Sequence, residues 1–238
     1  MNDSLTAQPP PDAPMPFPGP EAIRSRRKMK RILWLGGVAV LFVCAIPLST
    51  VFLKQSGAAD RTRAMGNARQ IMLPLFEFDA EYGSFPDSTT AAKIKADSKT
   101  ALTLGGTTSN QIFRQLIAYG FKSEEPFYAK IPGSKKPDNL FHDDAHALAQ
   151  GECGFAYIAG LSSAADPGTP IVVCPLIPGT TLFDPKPFAG KAIVLRVDHS
   201  VTAMQIDPSG RVMNGGKDLF DPSQPWWKGK APDIKWQE

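Results

Sequence analysis

The apolar positions of this chain change period several times, and each change predicts an element. From Ile32 to Leu53 no residue is charged, a run of 22 positions. About 20 apolar residues suffice for a helix to cross the roughly 30 Å hydrocarbon core of a bilayer. Beyond the run, Met65, Ala68, Ile71, Met72, Leu75, Phe76, Phe78 and Tyr82 recur at spacings of three and four. That spacing predicts an amphipathic helix over 58–82 that needs a globular partner for its apolar face. Pro74 should kink or weaken it, and Gly83 followed by Pro86 should stop it. The stretch 89–108 reads as a short exposed helix or loop. Ile112, Phe113, Leu116 and Ile117 predict a second short helix, stopped by Gly120 and capped by Asn110 or Ser109.

The last hundred residues switch to short apolar runs bounded by Gly, Pro and Asp. Gly154–Ala159, Pro170–Cys174, Lys191–Val197 and Val201–Ile206 are the predicted strands. Asp198-His199-Ser200 predicts a tight antiparallel hairpin between the last two. Pro208-Ser209-Gly210 is a further turn signal, with a final short strand over Arg211–Met213. The fold class that follows is α+β: a long N-terminal membrane-spanning helix packed by its outer half on a small antiparallel β-sheet.

Composition and charge divide the chain. Residues 1–31 form a Pro-rich leader, whose composition cannot offset its ordering entropy, ending in a basic cluster of Arg24, Arg26, Arg27, Lys28, Lys30 and Arg31. Residues 32–53 are the expected transmembrane helix, and residues 54–238 the expected extracytoplasmic α+β domain. The basic cluster outweighs Lys54, Arg61 and Arg63 on the other flank, which places the N-terminus in the cytoplasm. The small-residue stretch Ser56-Gly57-Ala58 offers a cleavage site, but the apolar run exceeds the usual signal-peptide core, so a retained single-pass anchor is expected. The net charge of +3 gives no reason to expect nucleic acid as a partner.

Asn67 to Asp87, closing in Glu81-Tyr82-Gly83-Ser84-Phe85-Pro86, resembles the stretch after the membrane helix in type IV pilin-like proteins, most closely the pseudopilin G-like group of type II secretion. Ala231-Pro232-Asp233-Ile234-Lys235-Trp236 is similar to the C-terminal ending of that group, and Ile193-Val194-Leu195-Arg196-Val197-Asp198-His199-Ser200-Val201 resembles a pilin-like hairpin. The resemblance implies a non-enzymatic role in assembly, scaffolding or interaction. Its setting would be the bacterial cytoplasmic (inner) membrane, with the C-terminal domain in the periplasm or outside and proteins of a secretion or pilus-type system as partners. It also implies that calcium would be held by loop aspartates, here Asp207, Asp218, Asp221 and Asp233, which otherwise read as solvated. Prepilins open their apolar helix with a Gly-Phe junction and a glutamate. This chain has Met29-Lys30-Arg31-Ile32-Leu33-Trp34 there, so a permanent anchor is expected rather than a processed fibre subunit.

Candidate chemistry is sparse. His142-Asp143-Asp144-Ala145-His146 sets two histidines four apart, which a helical turn would bring to one face for zinc or another divalent ion. A membrane-tethered metal-dependent enzyme or sensor centred on His142 and His146 is the alternative function; a solvated polar loop is the plainer reading. Cys153 and Cys174 lie in neighbouring predicted strands. They would form either a disulfide contributing about 3 kcal/mol or two small buried hydrophobes. Trp226 and Trp227 either pack back on the sheet or form an interaction patch, in which case a glycan-binding module is a third function. His199 reads as a turn residue. No catalytic residue and no resident cofactor are expected.

Overall fold

The computed structural model describes residues 56–238. The leader expected over 1–31 and the span expected over 32–53 lie outside the described residues. Among the described residues, no helix is long and apolar enough to cross a membrane.

Over the described residues, helix α1 runs through 56–82. Its apolar face is spelled by Ala64, Ala68, Ile71, Leu75 and Phe78, all at most 1% exposed. Pro74 does not interrupt it. Proline removes one i→i−4 hydrogen bond, but Ile71, Leu75 and Phe78 on either side are locked in the core, and packing outweighs the lost bond. Gly83 (φ +80°) ends the helix by bonding its N–H to Asp79 O at 2.7 Å.

Helix α2 (Ala91–Ser98) turns Ala91 and Ile94 inward and closes on Lys99 in the left-handed conformation. Helix α3 (Ser109–Tyr119) begins one residue earlier than the expected caps. Thr108 is the N-cap, its hydroxyl accepting from Gln111 N at 3.3 Å. Ser109 and Asn110 are buried and bonded elsewhere.

Five strands make one antiparallel sheet: β1 (Ala156–Ala159), β2 (Pro170–Cys174), β3 (Lys191–Arg196), β4 (Val201–Gln205) and β7 (Asp233–Lys235). Their order is β4-β3-β2-β1-β7. The first four form a meander, and the C-terminal strand returns to the free edge of β1, pairing Ile158 with Ile234. The expected strand at Arg211–Met213 is displaced: β5 (Met213–Asn214) and β6 (Lys217–Asp218) form a separate two-stranded ribbon. The predicted hairpin forms between β3 and β4, with His199 at φ +69° in its turn.

Period-2 alternation sends alternate side chains to two cores. Tyr157, Cys174, Ile193 and Leu195 face the helices and join Ile71, Leu75, Phe78, Phe113 and Phe127. Ile158, Val173 and Val194 face the other way and join Phe183, Leu219, Phe220 and Trp227. The sheet is therefore covered on both faces, which explains why β1 and β2 are buried at every position. Between α3 and β1 the segment 122–153 has no strand and only the short 3-10 turn Glu125–Phe127. Gly154 ends it where no side chain fits: a Cβ there would lie 2.6 Å from Ala129 O.

Candidate functional site

Segment 122–153 is held in place by polar side chains projecting from the two long helices. On α1, Asn67 Nδ2 donates to Glu125 O (3.0 Å) and Tyr128 O (2.7 Å). On α3, Asn110 Nδ2 donates to Leu148 O at 2.9 Å, and one turn on Arg114 Nε donates to Ala147 O at 2.7 Å. Arg114 also donates from Nη2 to Asp144 O at 3.2 Å. All three side chains sit where the helix faces the interior, at 7% exposure or less. Each satisfies carbonyls that an irregular segment cannot pair in a ladder.

Three carboxylates of this segment converge: Glu124, Asp138 and Glu152. Glu124 is fully buried, its Oε1 accepting from Leu148 N at 2.7 Å and its Oε2 from Asn139 N at 2.9 Å. Burial raises the Glu124 carboxyl to about 7, against the lowering pull of its two N–H donors. Burial raises Glu152 as well. Both oxygens of Glu124 are committed to the backbone, so this group acts as a clamp between residues 139 and 148.

A second cluster is His142–Asp143–His146, the pair expected from sequence together with the first of the two aspartates between them. The chain turns here as one helical turn, Ala147 N donating to Asp143 O at 2.9 Å. That turn brings the two imidazoles together, tilted 28° with centroids 5.3 Å apart. His146 Nδ1 lies 2.8 Å from Asp143 Oδ1, and His142 Nε2 lies 3.4 Å from Asp143 Oδ2. The bond to Asp143 raises His146 above the ordinary imidazole range, and the same bond lowers Asp143. The donor set of two imidazoles and a carboxylate, with open sides, suits a borderline divalent ion.

The other expected residues are dispersed. Cys153 and Cys174 are free and buried. Cys153 Sγ lies 3.4 Å from Phe155 O and 3.6 Å from Ser109 Oγ, and burial pushes its thiol up to about 11. Cys153 also lines a cleft of about 480 Å³, with Ile131, Lys135, Leu176, Gln237 and Glu238. A thiol held neutral at that wall is not an activated nucleophile.

Trp226 and Trp227 do not make an exposed pair. Trp227 is 6% exposed and donates from Nε1 to Leu219 O at 2.8 Å. Trp226 packs beside the second core, close over Gly168. The Trp227 indole is thus enclosed by protein, and Trp226 is half-buried. Asp207, Asp218, Asp221 and Asp233 do not converge either. Asp207, Asp218 and Asp221 each accept backbone N–H bonds in their own turns, and Asp233 lies 2.8 Å from Lys235 Nζ. His199 packs edge-on against Phe76, centroids 4.1 Å apart.

The clamp and its supporting side chains were not found from sequence. Their signal was a polar residue on an apolar helix face: Asn67 falls between Ala64 and Ile71, and Asn110 and Arg114 are one turn apart. Comparison of the chain with known protein families, with characterised proteins and with solved structures gives no match.

Proposed function

We propose that this chain is a pilin-like envelope protein, permanently anchored by residues 32–53 in a bacterial cytoplasmic membrane. On this reading residues 54–238 stand on the periplasmic or outer side. The role is assembly, scaffolding or interaction beside a type II secretion or pilus-type apparatus, without catalysis. One observation carries the reading. Helix α1 follows the charge-free run in sequence and lays Ala64, Ala68, Ile71, Leu75 and Phe78 into one core with the antiparallel sheet. A charge-free run followed in sequence by an amphipathic helix is the plan of a pilin-like subunit. The ending Glu81-Tyr82-Gly83-Ser84-Phe85-Pro86 supports the same reading. The missing Gly-Phe junction favours an anchor over a fibre subunit.

The test uses the full chain in bacterial membranes. Alkaline extraction should leave it in the membrane pellet. Protease added to spheroplasts should digest the 54–238 part, and intact mass should show a chain still beginning near Met1. Release into the alkaline supernatant, or protection of the domain from external protease, would overturn the anchor. A new N-terminus near Ile32 would overturn permanence and favour processing into a fibre.

A further inference from the structure

We infer that His142, Asp143 and His146 form a binding site for one zinc-class transition-metal ion. The ligand atoms are His142 Nε2, an Asp143 carboxylate oxygen and His146 Nδ1. The inference is independent of the anchoring reading, and either stands without the other.

Zinc bonds to imidazole nitrogen and carboxylate oxygen at about 2.0–2.1 Å, so tetrahedral ligand atoms lie about 3.3 Å apart. The donor atoms here all fall within 4.8 Å of one another. Each imidazole nitrogen lies near that edge from one oxygen of the carboxylate, His142 Nε2 at 3.4 Å from Oδ2 and His146 Nδ1 at 2.8 Å from Oδ1. An Asx turn explains one oxygen of Asp143, since Oδ1 accepts from Ala145 N at 2.9 Å and His146 N at 3.2 Å. Oδ2, which the turn leaves free, lies beside His142, so the one carboxylate meets both imidazoles and the two rings lie alongside each other.

The site is also built on a fixed base. Asp144 Oδ1 accepts from Thr103 N at 2.7 Å, Arg114 holds the carbonyls of 144 and 147, and Glu124 holds the N–H of 148. Residues on either side of His146 are thus anchored to buried groups, which spares the ion the entropy of ordering its ligands. The side chains of His142, Asp143 and His146 are 65%, 47% and 39% exposed. The remaining coordination positions therefore open to solvent and take water or a donor from a partner molecule. Two imidazoles select zinc, nickel or copper over calcium, which takes oxygen ligands.

The experiment is calorimetric titration of the tag-free full chain in detergent micelles, stripped with chelator, with Zn²⁺ as the probe. The expected result is one ion per chain with micromolar affinity. His142→Ala and His146→Ala should each weaken binding by about tenfold or more, and the double variant should abolish it. His199→Ala should leave it unchanged. His142 is exposed, so its variant tests the site without burdening the fold, and circular dichroism would verify that. Absence of Zn²⁺ binding, or binding unaltered in the double variant, would overturn the inference.

Discussion

The central sheet and the 122–153 segment are equally hidden from solvent at their cores, yet they reach burial by opposite means. The sheet pairs its backbone with itself and presents apolar side chains to both layers, as in the Ile193-Val194-Leu195 run, where no side chain is exposed. The segment has no ladder, so its carbonyls and N–H groups are satisfied by Asn67, Asn110, Arg114 and Glu124 reaching in from neighbouring elements. Apolar packing is non-directional and tolerates exchange among similar shapes. A buried polar contact depends on one donor meeting one acceptor, and a single lost partner leaves a desolvated group behind. The sheet should therefore respond to lost volume, and the segment to lost charge or geometry.

The largest effect should come from the sheet. Leu195 lies next to the C-terminal end of β3 and is fully buried, paired with Val172 on one side and Val201 on the other. Leu195→Ala removes buried methyl groups and leaves a cavity, at a cost of about 2–5 kcal/mol. Denaturant unfolding should show it as a shift of midpoint with unchanged slope. Leu195→Met should recover most of it. A Leu195→Ala variant as stable as the parent would mean the two-layer core is not what holds the sheet.

The segment should reveal itself through pH. Glu124 titrates near 7 when folded, above the ordinary 4.5, so the folded state keeps a proton that the unfolded chain has already released. Stability from this group is fully present below about 4.5 and is lost as pH rises through about 7. The free energy lost across that window is about 3 kcal/mol, because a tenfold difference in proton affinity corresponds to about 1.4 kcal/mol. Glu152 is raised by burial and slopes the same way, as does His146, raised by its bond to Asp143. Glu124→Gln isolates the first contribution. It keeps the volume and removes the titration, while its amide turns a donor toward one of the two N–H groups. The melting temperature of the parent should fall between pH 5 and 8 more steeply than that of the variant. Parallel curves would remove Glu124 from the account.

The same contrast explains what was legible beforehand. Pro170–Cys174 was bounded to the residue, and β1, β3 and β4 to within two, because apolar runs between turn residues report burial directly. Strand β7 was passed over. Ile234 is the one apolar residue in its three positions, and its partner β1 lies far away in sequence. Pro74 was expected to distort a helix that tertiary packing keeps intact. Thr108 was passed over as a cap in favour of Ser109 and Asn110, which are buried for other reasons. At the site, the two histidines were visible from their spacing. Asp138 and Glu152 were not, because carboxylates brought together by a non-repeating loop leave no period in the sequence.

The smallest effect, and the sharpest test of the contrast, is at Asn110. Its amide donates to Leu148 O, while its Oδ1 accepts from Glu238 N at 3.1 Å. One side chain thus ties α3 to both the segment and the C-terminal tail. Asn110→Ala strands these groups at a cost of about 1–3 kcal/mol. Asn110→Asp keeps the shape and the acceptor but loses the donor and adds a charge beside the carbonyl, so it should be worse than alanine. If packing alone mattered, aspartate would be the milder change, because it conserves volume. Amide exchange separates the two readings further. Loss of a polar anchor should raise exchange locally, over about residues 144–149, before the sheet responds, because regions held by few apolar contacts open below the global unfolding energy. Uniform acceleration across β1–β4 would show instead that the segment and the sheet unfold as one unit.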